Sequence, residues 1–70
     1  MKNTFKNLMY DNPNCKITFY SSNVLTEFPS DENRIEISDN GETITLKGEK
    51  STIILNIKTI EKIEFTPFKQ

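Results

Sequence analysis

The chain has no histidine, no tryptophan and no alanine, a single cysteine (Cys15) and only two glycines in 70 residues. Without His, the side chain that titrates nearest neutral pH and the commonest metal ligand are both missing. One Cys closes no intramolecular disulfide and builds no thiolate zinc site, which takes several such ligands. A Ser-His-Asp hydrolase, a zinc finger and a disulfide-stapled miniprotein are excluded on these grounds. An excess of either charge is lacking too: nine Lys and Arg stand against ten Asp and Glu, a formal net charge of -1. That balance argues against a dedicated binder of phosphate backbones, which carries a basic excess, and against an acidic mimic of nucleic acid. No apolar run approaches the roughly 18 residues of a membrane span, so no membrane partner is expected.

Met1-Lys2-Asn3-Thr4-Phe5-Lys6 carries charge with no apolar run behind it and does not read as a secretory signal. With a lone thiol, the expected compartment is the reducing cytosol. The abundance of Ile, Asn, Lys and Thr beside the missing Ala matches AT-rich bacterial or phage genes, so the cytosol could be that of a host cell. Size sets a further constraint. A domain this short buries only about 60% of the surface its unfolded chain exposes, and small scaffolds compensate with disulfides, a metal or self-association. The residue count removes the first two, which leaves a homo-oligomer or a bound partner.

No repeat, low-complexity tract or linker interrupts residues 1–70, which read as one domain. From residue 15 to 66, period-two alternation rich in β-branched side chains is broken by turn signals every six to ten positions, the pattern of an antiparallel all-β domain. Asn40-Gly41 predicts a two-residue type I′ hairpin turn. That register sets Ile37 against Ile44 and Ile35 against Leu46 on one face, with Glu36 against Thr45 and Arg34 against Lys47 on the other. A one-residue slip would break this agreement. With Glu49-Lys50 as the next loop, Leu46 pairs with Ile53 and Ile44 with Leu55, carrying the apolar face across three strands. Upstream, Cys15 to Phe19 alternates cleanly, Ser21-Ser22-Asn23 turns the chain into Val24 to Phe28, and Pro29 to Asn33 reads as loop.

The ends are less regular. Ile57, Ile60 and Ile63 recur every third position, which predicts a 3-10 turn at Lys58-Thr59 before Ile63 and Phe65 resume alternation. Phe5, Leu8 and Met9 form one apolar side of a short helix over residues 3–10, with Asn3 or Thr4 as its cap; an N-terminal strand is the alternative. The fold class is therefore all-β with minor α: an antiparallel meander or small open barrel of five to six strands with a short N-terminal helix.

The side chains offer little chemistry. Cys15 shares the phase of Ile17 and Phe19, so packing is expected, and no His is present to activate its thiol. Glu36 and Asp31-Glu32 read as solvated charges, because no second carboxylate faces either across an apolar groove as glycosidic chemistry requires. Asp39-Asn40-Gly41-Glu42 lacks the ligand spacing of a calcium loop. Both glycines belong to turns, so there is no phosphate-binding loop. No catalytic, cofactor-binding or metal-binding residue is expected. Lys16, Phe19, Tyr20, Lys58, Lys62 and Phe65 interleave basic and aromatic residues as nucleic-acid stacking platforms do, but Phe19 and Phe65 fall on the core phase, leaving Tyr20 as the main exposed aromatic. Ile54 faces outward beside Thr45. Tyr20, Val24, Leu25, Ile54 and Lys62 form the candidate interaction surface, with Ile54, Tyr20 and either Leu25 or Val24 in one outward patch of the kind that marks interfaces, unless the helix covers Ile54.

A short helix followed by about five bent strands closing on an I-x-x-I segment (Ile57 to Ile60) resembles the Sm-like barrel of RNA-binding rings, an SH3-like architecture. The resemblance covers most of the chain and implies a small open barrel. It transfers no binding residue, since the family's strand-bending glycine has no counterpart between Leu25 and Pro29 and its uridine-binding Asn and Gly motif is missing before Ile60. The expected function is a non-enzymatic protein-interaction module, a small bacterial or phage accessory protein that binds and inhibits or sequesters a host factor through an edge strand, Val24 to Phe28 or Lys62 to Thr66. The alternatives are a small RNA- or single-strand-binding barrel and an oligomer that sequesters a nucleotide.

Overall fold

Phe5 and Met9 lie one helical turn apart, and burying both is what makes the N-terminal segment helical. In the computed structural model, which describes residues 2–68, helix α1 spans Lys2–Asp11. The outer limits of the domain expected over 1–70 (Met1, Lys69 and Gln70) lie outside the described residues. A helix of this length does not persist unpacked. Its anchor is Phe5, whose ring centroid lies 6.2 Å from that of Phe19 and 6.1 Å from that of Phe65. Two expectations are corrected here. Leu8 is exposed rather than packed with Phe5 and Met9, because the buried stripe is only one side chain wide. Asn3 and Thr4 lie inside the helix rather than capping it. At the other end the Asn12 side-chain amide donates to the Leu8 carbonyl at 2.8 Å, which satisfies one of the open carbonyls of the last turn. Pro13 follows and stops the helix. Asn14 then takes a positive φ of 58°, a conformation that Asn tolerates better than most residues.

Six strands follow: β1 (Cys15–Ser21), β2 (Val24–Pro29), β3 (Ile35–Ile37), β4 (Thr43–Lys47), β5 (Thr52–Asn56) and β6 (Ile60–Pro67), with the 3-10 turn η1 (Ile57–Thr59) between the last two. They make two antiparallel three-stranded sheets, ordered β2-β1-β6 and β3-β4-β5. Among the described residues the fold is therefore mostly β with one short helix, and no closed barrel is formed. β2 runs one residue further than expected, through Pro29, which lies on an edge strand where its missing N–H costs no ladder bond.

The expected pairings of β3 with β4 and of β4 with β5 are all present: Ile35 with Leu46, Glu36 with Thr45, Ile37 with Ile44, Leu46 with Ile53 and Ile44 with Leu55. The expected 3-10 turn is present as well, with the Asn56 side chain accepting from the Lys58 N–H at 3.0 Å. The first hairpin turn differs from its expectation. Gly41 has a positive φ of 72° but Asn40 does not, so the two-residue type I′ geometry is not formed. Instead the Gly41 N–H donates to the Ser38 carbonyl at 2.9 Å, and the Ser38 N–H to the Thr43 carbonyl at 3.0 Å. The Ser38 hydroxyl donates to Asn40 Oδ1 at 2.6 Å and accepts from the N–H groups of Glu42 and Thr43. That hydroxyl, together with the Asn40 amide oxygen, satisfies the wider loop, and so a longer turn keeps the same strand register.

The sheets enclose Phe5, Met9, Cys15, Ile17, Phe19, Phe28, Ile35, Ile37, Ile44 and Leu46. Cys15 is buried, as expected from its phase, with Sγ 3.5 Å from the Pro13 carbonyl oxygen. The inward side chains of the last strands are covered less well. Leu55, Ile57, Ile60, Ile63 and Phe65 pack against the core but stay partly exposed, and Ile53 is more than a third exposed. The apolar face expected across three strands is present, with Ile53 and Leu55 paired as expected, and its cover thins at β5.

Candidate interaction surface

The outer face of the β2-β1-β6 sheet gathers three of the five residues singled out from the sequence. Leu25 pairs with Tyr20, and Tyr20 with Lys62, so the three form one row across the sheet. Tyr20 is held on two sides. Its hydroxyl donates to Glu64 Oε1 at 2.8 Å, and the Lys62 ammonium lies 4.7 Å from its ring centroid. The hydrogen bond to Glu64 is the main cause of a phenol pKa raised above the usual 10.0, with desolvation and the charges of Glu64 and Glu27 acting in the same direction. The adjacent row is Glu27, Thr18 and Glu64, with Thr18 buried at its centre and Lys16 bridging to Glu27 at 3.2 Å. The two cations of this face are thus matched by two carboxylates.

Val24 begins β2 opposite Ser21 and is 62% exposed, while Leu25 is 54% exposed. Both lie on an edge strand, as does the Lys62 to Thr66 segment of β6, and so both edges expected from the sequence are edges of this sheet. Ile54 is not part of the row. It projects from β5 in the other sheet, opposite Thr45, and is 67% exposed, so α1 does not cover it. The outward patch expected to join Ile54 with Tyr20 and either Leu25 or Val24 is therefore divided between two sheets. Tyr20, moreover, is not the most exposed aromatic. It is half-buried by the Glu64 and Lys62 contacts, whereas Tyr10 on α1 and Phe68 after β6 are exposed.

Reading the chain alone missed two features. One is the free edge of β5, because an alternating strand between two turn signals does not reveal on which sides it is paired. The other is a cleft of about 240 Å³ between α1 and β3. Its floor is Phe5, Met9, Ile35 and Ile37, and Lys6, Arg34 and Lys47 reach its rim. Arg34 lies 3.5 Å from Asp31 and Lys47 3.5 Å from Glu36, so two of the three cations already have carboxylate partners. Among the described residues no three His, Cys, Asp or Glu side chains converge as a metal site would require. No helix of the described residues is long and apolar enough to cross a membrane. No protein-family model, curated protein or solved structure matches the chain.

Proposed function

We propose that the protein is a non-enzymatic protein-interaction module, a small bacterial or phage accessory protein that binds and sequesters or inhibits a host protein through the β2 edge of the first sheet. The observation that carries this reading is that Val24 and Leu25 are each more than half exposed on an edge strand, with Leu25 in one row with the anchored Tyr20 and Lys62. An exposed edge offers its unpaired backbone groups to an incoming strand, and flanking side chains select which strand. Tyr20 suits the selecting role because its contacts to Glu64 and Lys62 hold it in place before binding, which lowers the entropy of docking.

The test is affinity capture from bacterial lysate with the wild-type protein and its Leu25→Lys variant as parallel baits. The expected result is a stoichiometric complex with one host protein that the variant fails to retain. Identical captures by both baits would overturn the reading. The nucleic-acid alternative draws on the same sheet face, where Lys62 lies beside Tyr20 and Lys16 lies two rows away, within an open SH3/Sm-like barrel architecture. It ranks second because Glu27 and Glu64 occupy the same face. It requires oligonucleotide binding that weakens steeply with added salt.

A further inference from the structure

The five residues of β5, Thr52-Ile53-Ile54-Leu55-Asn56, include no charge and no proline, and all but Leu55 are exposed. Natural edge strands are guarded against pairing by charge, proline, bulges or brevity. The β4–β5 ladder shows which backbone groups remain open. The Gly48 N–H donates to the Ser51 carbonyl at 2.9 Å at one end, and the Ile57 N–H to the Glu42 carbonyl at 2.8 Å at the other. Antiparallel ladders alternate, so Ser51, Ile53, Leu55 and Ile57 turn their backbone groups to β4. Thr52, Ile54 and Asn56 turn theirs to the free edge, where the Asn56 carbonyl already accepts from Thr59 Oγ1 at 2.8 Å and the groups of Thr52 and Ile54 remain open.

We infer that β5 pairs antiparallel with β5 of a second copy of this chain about a two-fold axis at Ile54, joining two three-stranded sheets into one of six strands. This rests on the reading that edge strands are the binding elements, and it assigns β5 to self-association while β2 meets the host protein. The occupant is a second copy because the strand is its own complement. A two-fold contact must place the same patch on both partners. Centred on Ile54, it sets Ile54 on Ile54 on the outer face, Ile53 on Leu55 on the core face, and Thr52 on Asn56 at the ends. Apolar thus meets apolar on both faces, and the open backbone groups fall on hydrogen-bonded pairs. Centring one residue later sets Ile54 against Asn56 and loses that match. With a net charge of -1 per chain, two copies repel little. Charge enters only beyond the ladder, at Lys50 in the β4–β5 turn and Lys58 in η1, which lie past the two ends of the strand. The contact is small, below the roughly 1,200 Å² of standard interfaces, and belongs with weak associations. Salt tightens it by screening the lysines.

The experiment is sedimentation equilibrium of the full chain over a wide concentration range, with Ile54→Lys, Leu25→Lys, Ile54→Cys and Thr52→Cys variants. Ile54 faces outward, so circular dichroism of its variants should match the wild type. The expected results are a reversible wild-type dimer that strengthens with salt, the same dimer for Leu25→Lys, and a dimer weakened at least about tenfold for Ile54→Lys. Under oxidation, Ile54→Cys should form a disulfide-linked dimer, since hydrogen-bonded antiparallel pairs hold Cα atoms about 5.5 Å apart, within disulfide range. Thr52→Cys, whose counterpart is Asn56, should not. A wild-type chain that stays monomeric up to about millimolar concentration, where the association free energy would be no more than about 4 kcal/mol, an undiminished Ile54→Lys dimer, or equal crosslinking of both cysteine variants would overturn the inference. A monomeric wild type would leave the Leu25-dependent capture of a host protein to stand or fall separately.

Discussion

Replacing Phe5 by Ala tests whether the helix is part of the core or an ornament on it. Phe5 is 2% exposed, and its ring lies against Phe19 and Phe65 at centroid distances of 6.2 and 6.1 Å. Removing a buried aromatic side chain costs about 3–5 kcal/mol. The lower end applies here, because a ten-residue terminal helix can shift to fill part of the void. A domain of 70 residues has roughly 4–10 kcal/mol of stability in total, so about 3 kcal/mol is a large share. At about 4–8 °C per kcal/mol for a domain of this size, the melting temperature should fall by roughly 12–24 °C. The assay is thermal unfolding by circular dichroism at one fixed protein concentration, since self-association would otherwise shift the midpoint. Leu8→Ala is the control: same helix, exposed side chain, expected change within about 0.5 kcal/mol. If Phe5→Ala melts within about 3 °C of wild type, less than 1 kcal/mol on that scale, or if Leu8→Ala costs as much, α1 is not docked through Phe5.

Two further outcomes follow from single residues. Gly41→Ala should lower stability by about 1–2 kcal/mol through backbone strain alone, since φ is 72° and nothing lies within 4 Å of the added Cβ. Gly41→Asn should cost visibly less in the same melts. In a Tyr10→Phe background, the Tyr20 phenol should titrate above 10.0, and Glu64→Gln should bring it down, read by phenolate absorbance. The sign follows from linkage: a raised folded pKa stabilises the protonated form, so this contribution is full below pH 10.0 and lost as pH rises through the raised value. An unchanged titration in Glu64→Gln would mean that the Tyr20–Glu64 bond does not persist in solution.

The strands and their register were legible because apolar side chains on a period of two admit only one pairing between short turns. Ile35, Ile37, Ile44 and Leu46 therefore found their partners, and the threefold spacing of Ile57, Ile60 and Ile63 marked η1. The inner geometry of the first turn was not legible. Asn40-Gly41 suits two loop types, and the choice was made by the Ser38 hydroxyl, which caps a wider loop. The candidate surface was half legible. Alternation shows that Tyr20, Leu25, Lys62 and Ile54 face outward, but which strands share a sheet depends on long-range pairing. The β1–β6 ladder put Tyr20 beside Lys62 and left Ile54 on the other sheet.

That ladder also orders the birth of the molecule. The β3-β4-β5 sheet is a run of consecutive hairpins, which can assemble as soon as they are made. β1 is the middle strand of its sheet, carries Ile17 and Phe19, and takes its second neighbour from β6, near the opposite end of the described chain. A nascent chain must therefore hold the strand that carries the fully buried Ile17 and Phe19 half-unpaired until β6 has been made. Only when β6 emerges can this flank close, which makes that docking the slow step of folding and the interval before it the time when the chain is most prone to aggregate.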